Sequence, residues 1–480
     1  MTDVNKAIKP IESLTLAPLN EGADFKTNNF ILFRIGASNM NMWTVNSSYL
    51  TFDIEYTGPT ITHAAFSSPA PSYIKNAANI FSQVEVLYGG NTIYQQTYNI
   101  EQNTLRQLHY GEQYLKSNYA TYTTREMVIA DQAEGSLQDG INAYLKFPNT
   151  HTASNNDITF TNKIIHNVMI PINQLIPILM DCGSEGFPVR CLKEQIEIRL
   201  YIAEPYRYIV DWCPYIKDFY HVLCKATASD PATSSNRSDI TLKQRYPTDS
   251  IKLTNVKMVC QHYLPDASLA ARIDNECLNS PDGKQYQFIR YEIALRQVNK
   301  ISATNNLPFT NSTENTNSLT LYCHRTGLSP GLMYRPNINS LYISFGSNQL
   351  PFQPIPGKTY SSPFEYKFLT DDAFNNIDTY YSETNNDYNS SYKFINDTTT
   401  LPGDYAMKVP SSSFVLLGAN YVSDPSALGS KSSQWNSQYQ VHFNAPYEDT
   451  NPSNGLTFVL AVESKWGLTF QNGRLDTVNI

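Results

Sequence analysis

The chain has 480 residues and a mass of 54.3 kDa, too long for one ordinary hydrophobic core and enough for two or three domains. Hydrophobic residues make up 41% but charged residues only 16%, against about 25% in typical soluble domains; Asn, Ser, Thr, Gln and 33 Tyr supply the remaining polarity, a composition that suits dense assembly. A net charge of −8 and the lack of any Lys/Arg-rich run exclude a broad nucleic-acid-binding face.

Taken in chain order, the start "MTDVNKAIKPIES" has no apolar h-region, so no secretory signal is expected. Short runs rich in Val, Ile, Tyr, Phe and Thr then recur between Gly, Asn, Pro and Ser, which predicts strands at 28–36, 49–58, 83–97, 163–172 and 194–205. The last alternates Ile196, Ile198, Leu200 and Ile202 on one face with Glu197, Arg199 and Tyr201 on the other, the mark of a half-buried strand. Helical spacing is confined to 99–115, where Leu105, Leu108 and Tyr114 share a face, to one or two turns in 171–183 broken by Pro177, and to 362–375. The longest apolar stretch, 168–180, carries Asn173, Gln174 and two prolines and is too short to span a bilayer.

A small, polar, aperiodic stretch at 225–250 reads as a linker. Beyond it, strands are expected at 251–264, 286–298, 318–326, 341–353, 412–422, 438–446 and 455–470. Two long polar insertions, 302–318 and 375–404, read as surface loops. Many strands and few helices mean a sandwich or barrel.

The two halves share a pattern. "VEVLYGGNTIYQQ" (84–96) and "LYISFGSNQLPFQ" (341–353) each read as strand, glycine turn, strand, at a constant offset. Gly89/Gly346, Asn91/Asn348 and Gln96/Gln353 are identical, and Val84/Leu341, Val86/Ile343, Tyr88/Phe345 and Ile93/Leu350 match in character. Similar order around both copies predicts duplication of one β domain.

Motifs for chemistry are sparse. "GLSPG" (327–331) has the G-x-S-x-G pattern, but Pro330 lacks the backbone N–H that an oxyanion hole needs after Ser329, so a plain turn is expected. Cys260 and His262 point the same way on one strand and Cys323-His324 lies on another; four such ligands could bind zinc if the strands were neighbours, but structural zinc sites usually show tight C-x(2–4)-C spacing, so core thiols and satisfied histidines are the reading. The seven cysteines are odd in number and irregularly spaced, which predicts buried free thiols. No Walker loop, G-x-G-x-x-G or H-E-x-x-H occurs. No catalytic, metal-binding or cofactor-binding residue is therefore assigned, and no enzymatic activity is expected.

The stretch "IFSQVEVLYGGNTIYQQTYNIEQNTLRQL" (80–108) resembles the part of the first jelly roll in which a hairpin runs into a helix in capsid proteins of Polinton-like viruses, adintoviruses and virophages. The chain thus resembles a double jelly-roll major capsid protein. The expected fold is all-β: two tandem jelly-roll domains, each an eight-stranded β-sandwich, with a few short helices and long loops. The expected division is an N-terminal arm (1–20), a first jelly roll (21–224), a linker (225–250) and a second jelly roll (251–480). The resemblance implies a homotrimer with a pseudo-hexagonal outline. It implies neighbouring capsomers, penton proteins and minor capsid proteins as partners, no cofactor, no sequence-specific nucleic-acid binding, and residence in the icosahedral shell of a double-stranded DNA virion made inside the host cell. A glycan-binding or glycan-cleaving β-sandwich, such as a lectin-like adhesin, is the alternative of the same fold class.

Overall fold

A computed structural model of the chain describes residues 12–22, 24–57, 60–61, 72–74, 77–109, 146–147, 149–152, 157–160, 163–179, 182, 185–211, 247–299, 302–310, 316–326, 330, 340–345, 348–356, 417–420, 438–444 and 456–479. Eight principal strands build the first sandwich: β1 (Glu12–Leu16), β2 (Phe30–Ile35), β3 (Met42–Tyr56), β4 (Phe81–Tyr88), β5 (Asn91–Gln96), β6 (Lys163–Pro171), β7 (Ile196–Ile202) and β8 (Ile251–Tyr263). They form two antiparallel sheets, in the orders β1-β8-β3-β6 and β2-β7-β4-β5. Two small three-stranded sheets flank them, one from 60–61, 157–160 and 149–152, the other from 209–211, 72–74 and 146–147.

Eight further strands repeat the plan: β9 (Lys284–Val298), β10 (Thr304–Thr310), β11 (Thr316–Arg325), β12 (Ser340–Phe345), β13 (Asn348–Pro356), β14 (Leu417–Asn420), β15 (Gln438–Asn444) and β16 (Leu456–Gln471). Their sheets run β9-β16-β11-β14 and β10-β15-β12-β13, and β17 (Arg474–Asn479) adds to β16. Each strand of the first sandwich thus has its counterpart eight strands later, in the same place of the same sheet. Two sheets of four with Greek-key connections make a jelly roll.

The matched hairpins occupy equivalent positions. β4–β5 and β12–β13 are the last two strands of their sheets, with Tyr88 opposite Asn91 and Phe345 opposite Asn348. Gly89 and Gly90 turn the first with φ of 55° and 84°, the left-handed pair that a two-residue hairpin loop needs.

Period-two patterning fills the first core. Ile196, Ile198, Leu200 and Ile202 of β7 are buried as expected, facing Leu50, Phe52 and Ile54 of β3 and Met258 and Cys260 of β8 in one continuous cluster. Besides a register shift in β8 between Val259 and Gln261, two bulges bend the β1-β8-β3-β6 sheet where β6 shifts register between Ile165 and Val168 and β8 between Thr254 and Lys257. Asn167 and Asn255 sit in them at φ of 55° and 52°.

Three expectations need correction. The strand 251–263, expected to open the second jelly roll, is β8 of the first: it pairs with β1 on one edge and β3 on the other. Of the polar stretch before it, only 247–250 is described, and there Thr57 N bonds Ser250 O at 2.8 Å as the chain enters β8. Residues 12–16 of the expected arm form an edge strand on β8, and the chain just beyond them shields the edge of β2, where Leu19 N bonds Leu32 O at 2.8 Å and Asn20 Nδ2 bonds Phe30 O at 2.8 Å. Within the expected loop 302–318, Thr304–Thr310 is strand β10 and β11 has begun by Thr316. β10 buries only Asn305 and Phe309, and its Pro308 is tolerated because β10 is an edge strand. Of the expected helices, 99–109 is formed and 171–183 yields single turns at Ile172–Leu175 and Pro177–Leu179. Positions 110–115, 225–246 and 362–404 lie outside the described residues.

Candidate functional site: the joint between the jelly rolls

Polar and aromatic side chains concentrate at the joint between the two sandwiches. It has three parts: the far halves of β9 and β16, helix α1 (Asn99–His109), and a connector at 264–283.

β9 and β16 pair along their whole length, from Lys284–Phe470 to Val298–Leu456. One end of this ribbon belongs to the second core, where Tyr291, Ile293, Val459 and Ala461 cluster with Tyr322. The other end belongs to the first core: Tyr286, Phe288, Leu468, Phe470 and, from β17, Leu475 join its cluster. Phe187 of the first sandwich lies 5.9 Å from the rings of both Tyr286 and Phe470, and Tyr94 meets Phe288 edge-on at 6.1 Å. Burying each such ring contributes roughly 1.5–3 kcal/mol. The β16–β17 turn, Asn472-Gly473, then plugs into the first sandwich. Gly473 O accepts from Lys193 N at 3.1 Å and from Tyr88 Oη, and Gly473 N donates to Cys277 O at 3.3 Å.

α1 reaches in the opposite direction. Its Leu105 is buried in the second core beside Tyr291 and Tyr322. Its first two turns are buried although polar. Asn99 Nδ2 donates to Phe81 O at 2.8 Å, and Gln102 Oε1 accepts from Gln96 Nε2 at 2.5 Å and Tyr94 Oη at 3.2 Å. Gln96 Nε2 also donates to Tyr291 O at 3.1 Å, across the joint. Glu101, fully buried, holds Arg207 at 2.9 Å; burial raises its pKa and the guanidinium only partly offsets that. Asn99 Oδ1, Glu101 Oε2, Gln102 Nε2 and Asn103 Oδ1 have no hydrogen-bond partner among the described residues.

The connector carries α2 (Ala267–Asp274), capped by Asp266, whose Oδ1 accepts from Leu269 N at 2.8 Å. Ion pairs tie it to the first sandwich: Arg190–Asp274 at 2.9 Å, Glu185–Lys284 at 3.1 Å and Glu185 with Arg272, while Glu276–Lys284 at 2.9 Å closes the chain of charges.

The residues considered for chemistry are not assembled into a site. Cys260 and His262 lie on β8 of the first sandwich and Cys323 and His324 on β11 of the second, in different sheets. No group of three metal-ligating side chains occurs among the described residues. Cys191, Cys260 and Cys277 are buried free thiols, and Cys182 is buried as well. Ser329 lies outside the described residues. Sequence reasoning missed one pair, Ser344 Oγ and His442 Nε2 at 2.8 Å, because the two come together only through β12–β15 pairing. Tyr342 stacks on that imidazole at 4.5 Å and burial lowers its pKa; no acidic partner orients it among the described residues, so the pair is half of a nucleophilic triad at most. No helix among the described residues is long and apolar enough to cross a membrane.

The fold places the chain in a definite structural class. Two jelly rolls in tandem, with the same strand order, constitute the double jelly roll. Solved structures share it over nearly the full length. PBCV-1 VP54, fitted into a reconstruction of the virophage Sputnik, matches at a TM-score of 0.51 and 8% identity, over 98% of this chain and 97% of that one. A chain of the Sputnik virophage structure matches at 0.51 and 11%, over 98% and 89%. The mavirus major capsid protein matches at 0.50 and 11%, over 97% and 90%. The first two belong to structures of the Sputnik virophage and the third is a major capsid protein. No protein-family model matches the sequence, and no curated protein matches it.

Proposed function

We propose that this chain is a structural major capsid protein. In this reading three chains form a homotrimer of pseudo-hexagonal outline, and trimers tile an icosahedral shell around double-stranded DNA, with penton and minor capsid proteins as further partners. The carrying observation is that two sandwiches of identical strand order are fused into one body by a shared ribbon, so that three copies present six similar blocks. The sparse charge and abundant tyrosine suit broad contacts of mixed polarity, and the net charge of −8 suits enclosing DNA without gripping it by sequence. The chain performs no catalysis in this role. The jelly rolls are divided at the connector 264–283, the first ending with β8 and the second beginning with β9.

Light scattering on the full-length protein at micromolar concentration tests the reading. The expected mass is three times the 54.3 kDa of one chain, with hexagonal particles in negative stain and a subunit interface above the standard of roughly 1,600 Å². A persistent monomer that forms no shells at high concentration and binds sugar would replace this reading with the glycan-binding one.

A further inference from the structure

Two buried thiols meet at the joint from different parts of the chain. Cys191 ends a 3₁₀ turn, Val189–Cys191, of the first sandwich; Cys277 lies in the turn Asn275–Asn279 of the connector. Both are buried free thiols in the same cluster. Cys191 Sγ lies 3.3 Å from Asp274 Oδ1, three residues before Cys277, and the Cys277 thiol is a close electrostatic neighbour of Cys191. Gly473 lies against both backbones: its N–H bonds Cys277 O at 3.3 Å, and a Cβ placed on it would stand 2.9 Å from Cys191 O. The Cys191 thiol is the main influence that favours the Cys277 thiolate; burial opposes it, and the charge of Lys284 adds a smaller favourable part. Cys277 is the only buried residue of its turn, so a surface segment covers the pair.

We propose that Cys191 and Cys277 are a redox pair that closes to a disulfide and staples the connector to the first jelly roll. A small peroxide is the oxidant that suits a covered site. The Cys277 thiolate attacks one peroxide oxygen and the O–O bond breaks; Cys277 becomes a sulfenic acid, and the departing hydroxide takes a proton to leave as water. Cys191 Sγ then attacks Cys277 Sγ, the S–O bond breaks, and the hydroxyl leaves as a second water with the proton of Cys191. Two thiols are oxidised by two electrons and one peroxide is reduced to two waters. The staple closes a loop that includes β7 and β8, so it restrains the very strands that complete the first jelly roll.

The test treats the folded full-length protein with hydrogen peroxide, quenches it, alkylates free thiols under denaturing conditions and maps peptides without reduction. The expected result is a peptide linking Cys191 to Cys277, an intact mass lower by two hydrogens, reversal by dithiothreitol, and a thermal midpoint several degrees above that of the reduced protein. Cys191→Ser and Cys277→Ser each abolish the linked peptide and the thermal gain, and circular dichroism shows that each variant is folded. Both thiols fully alkylated after peroxide, or either one linked to a different cysteine, would overturn the proposal; because these readouts come from the unmodified chain, they stand even where a variant does not fold.

Discussion

Gln96, at the end of the first hairpin, donates from Nε2 to the carbonyl oxygen of Tyr291 at 3.1 Å and so reaches from one jelly roll into the backbone of the other. The same amide serves Gln102 Oε1 on α1, and its own oxygen accepts from Tyr98 N at 3.1 Å. One side chain therefore links hairpin, helix and second sandwich.

Gln96→Ala leaves Tyr291 O and Tyr98 N buried or half-buried without this partner. The expected cost is about 2 kcal/mol, from the desolvation of groups that lose their hydrogen bond. Gln95→Ala, one residue away on the exposed face, is expected to cost under roughly 0.5 kcal/mol. Urea unfolding of both variants checks the contrast; coincident midpoints would show that the joint does not depend on Gln96.

Gly473 has φ of 72°, and a Cβ there would stand 2.8 Å from Lys193 Cγ and 2.9 Å from Cys191 O. Gly90 has φ of 84° with open space around its Cβ position. Gly90→Ala should therefore lose only the backbone preference, about 1 kcal/mol, while Gly473→Ala adds a clash with fixed backbone and should lose about 2 kcal/mol or more. Differential scanning calorimetry of the pair measures the gap, and a smaller loss at Gly473 would mean that the β16–β17 turn is not seated as described.

Asp53 holds the two bulges from the strand between them. Its Oδ1 accepts from Asn167 N at 2.8 Å and its Oδ2 from Asn255 Nδ2 at 2.6 Å, with His166 Nδ1 at 3.3 Å. Burial works to raise its pKa, but the Asn167 N–H, the Asn255 amide and His166 outweigh it, and the pKa is lowered. A lowered carboxylate pKa means that the unfolded chain binds the proton more tightly, so this stabilisation is present above the ordinary value of about 4 and is lost as pH falls through the folded value. Asp53→Asn should cost about 1–3 kcal/mol at neutral pH, and the difference from wild type should shrink in acid. Thermal midpoints across pH 3–7 are the measurement; a constant difference would refute the linkage. His166 is 66% exposed at its side chain, so His166→Ala should cost little by comparison.

Glu101 carries the opposite sign. Burial raises its pKa, so the folded state keeps a proton that the unfolded state releases, and stability falls as pH rises from about 4.3 through the folded value. Glu101→Gln should flatten the pH profile in that range. Arg207→Met removes the partner and leaves a buried carboxylate, at an expected cost of about 3–5 kcal/mol above the folded pKa. Equal losses for the two variants at neutral pH would contradict the pairing.

The hairpin at 84–96 was legible because its cause is local: two glycines permit the left-handed turn, and alternating Val84, Val86 and Tyr88 announce a buried face. β7 was legible for the same reason. β1 and β10 were not, since "ESLTL" and "TNNLPFT" become strands through the partners they meet, β8 and β15, which lie far away in sequence. The division between the jelly rolls was misplaced because the 251–263 run reads equally well as the last strand of one sandwich or the first of the next; only its pairing with β1 and β3 decides. The joint itself was hidden. Asn99, Glu101, Gln102 and Asn103 are polar and give no sign of burial in the sequence, yet they are buried because α1 lies between the two sandwiches.

The ribbon of β9 and β16 also sets a timetable for synthesis. Phe470 pairs with Lys284, and until the ribosome has released β16 the first jelly roll lacks Leu468 and Phe470 from its core even though all eight of its own strands have already emerged. The nascent chain must then hold Tyr286, Phe288 and a bare edge of β9 in solution across nearly two hundred residues of further translation, which is slow-forming, aggregation-exposed topology. Such a chain calls for chaperone cover late in translation, and truncation before β16 would produce an insoluble first half, not an independent domain.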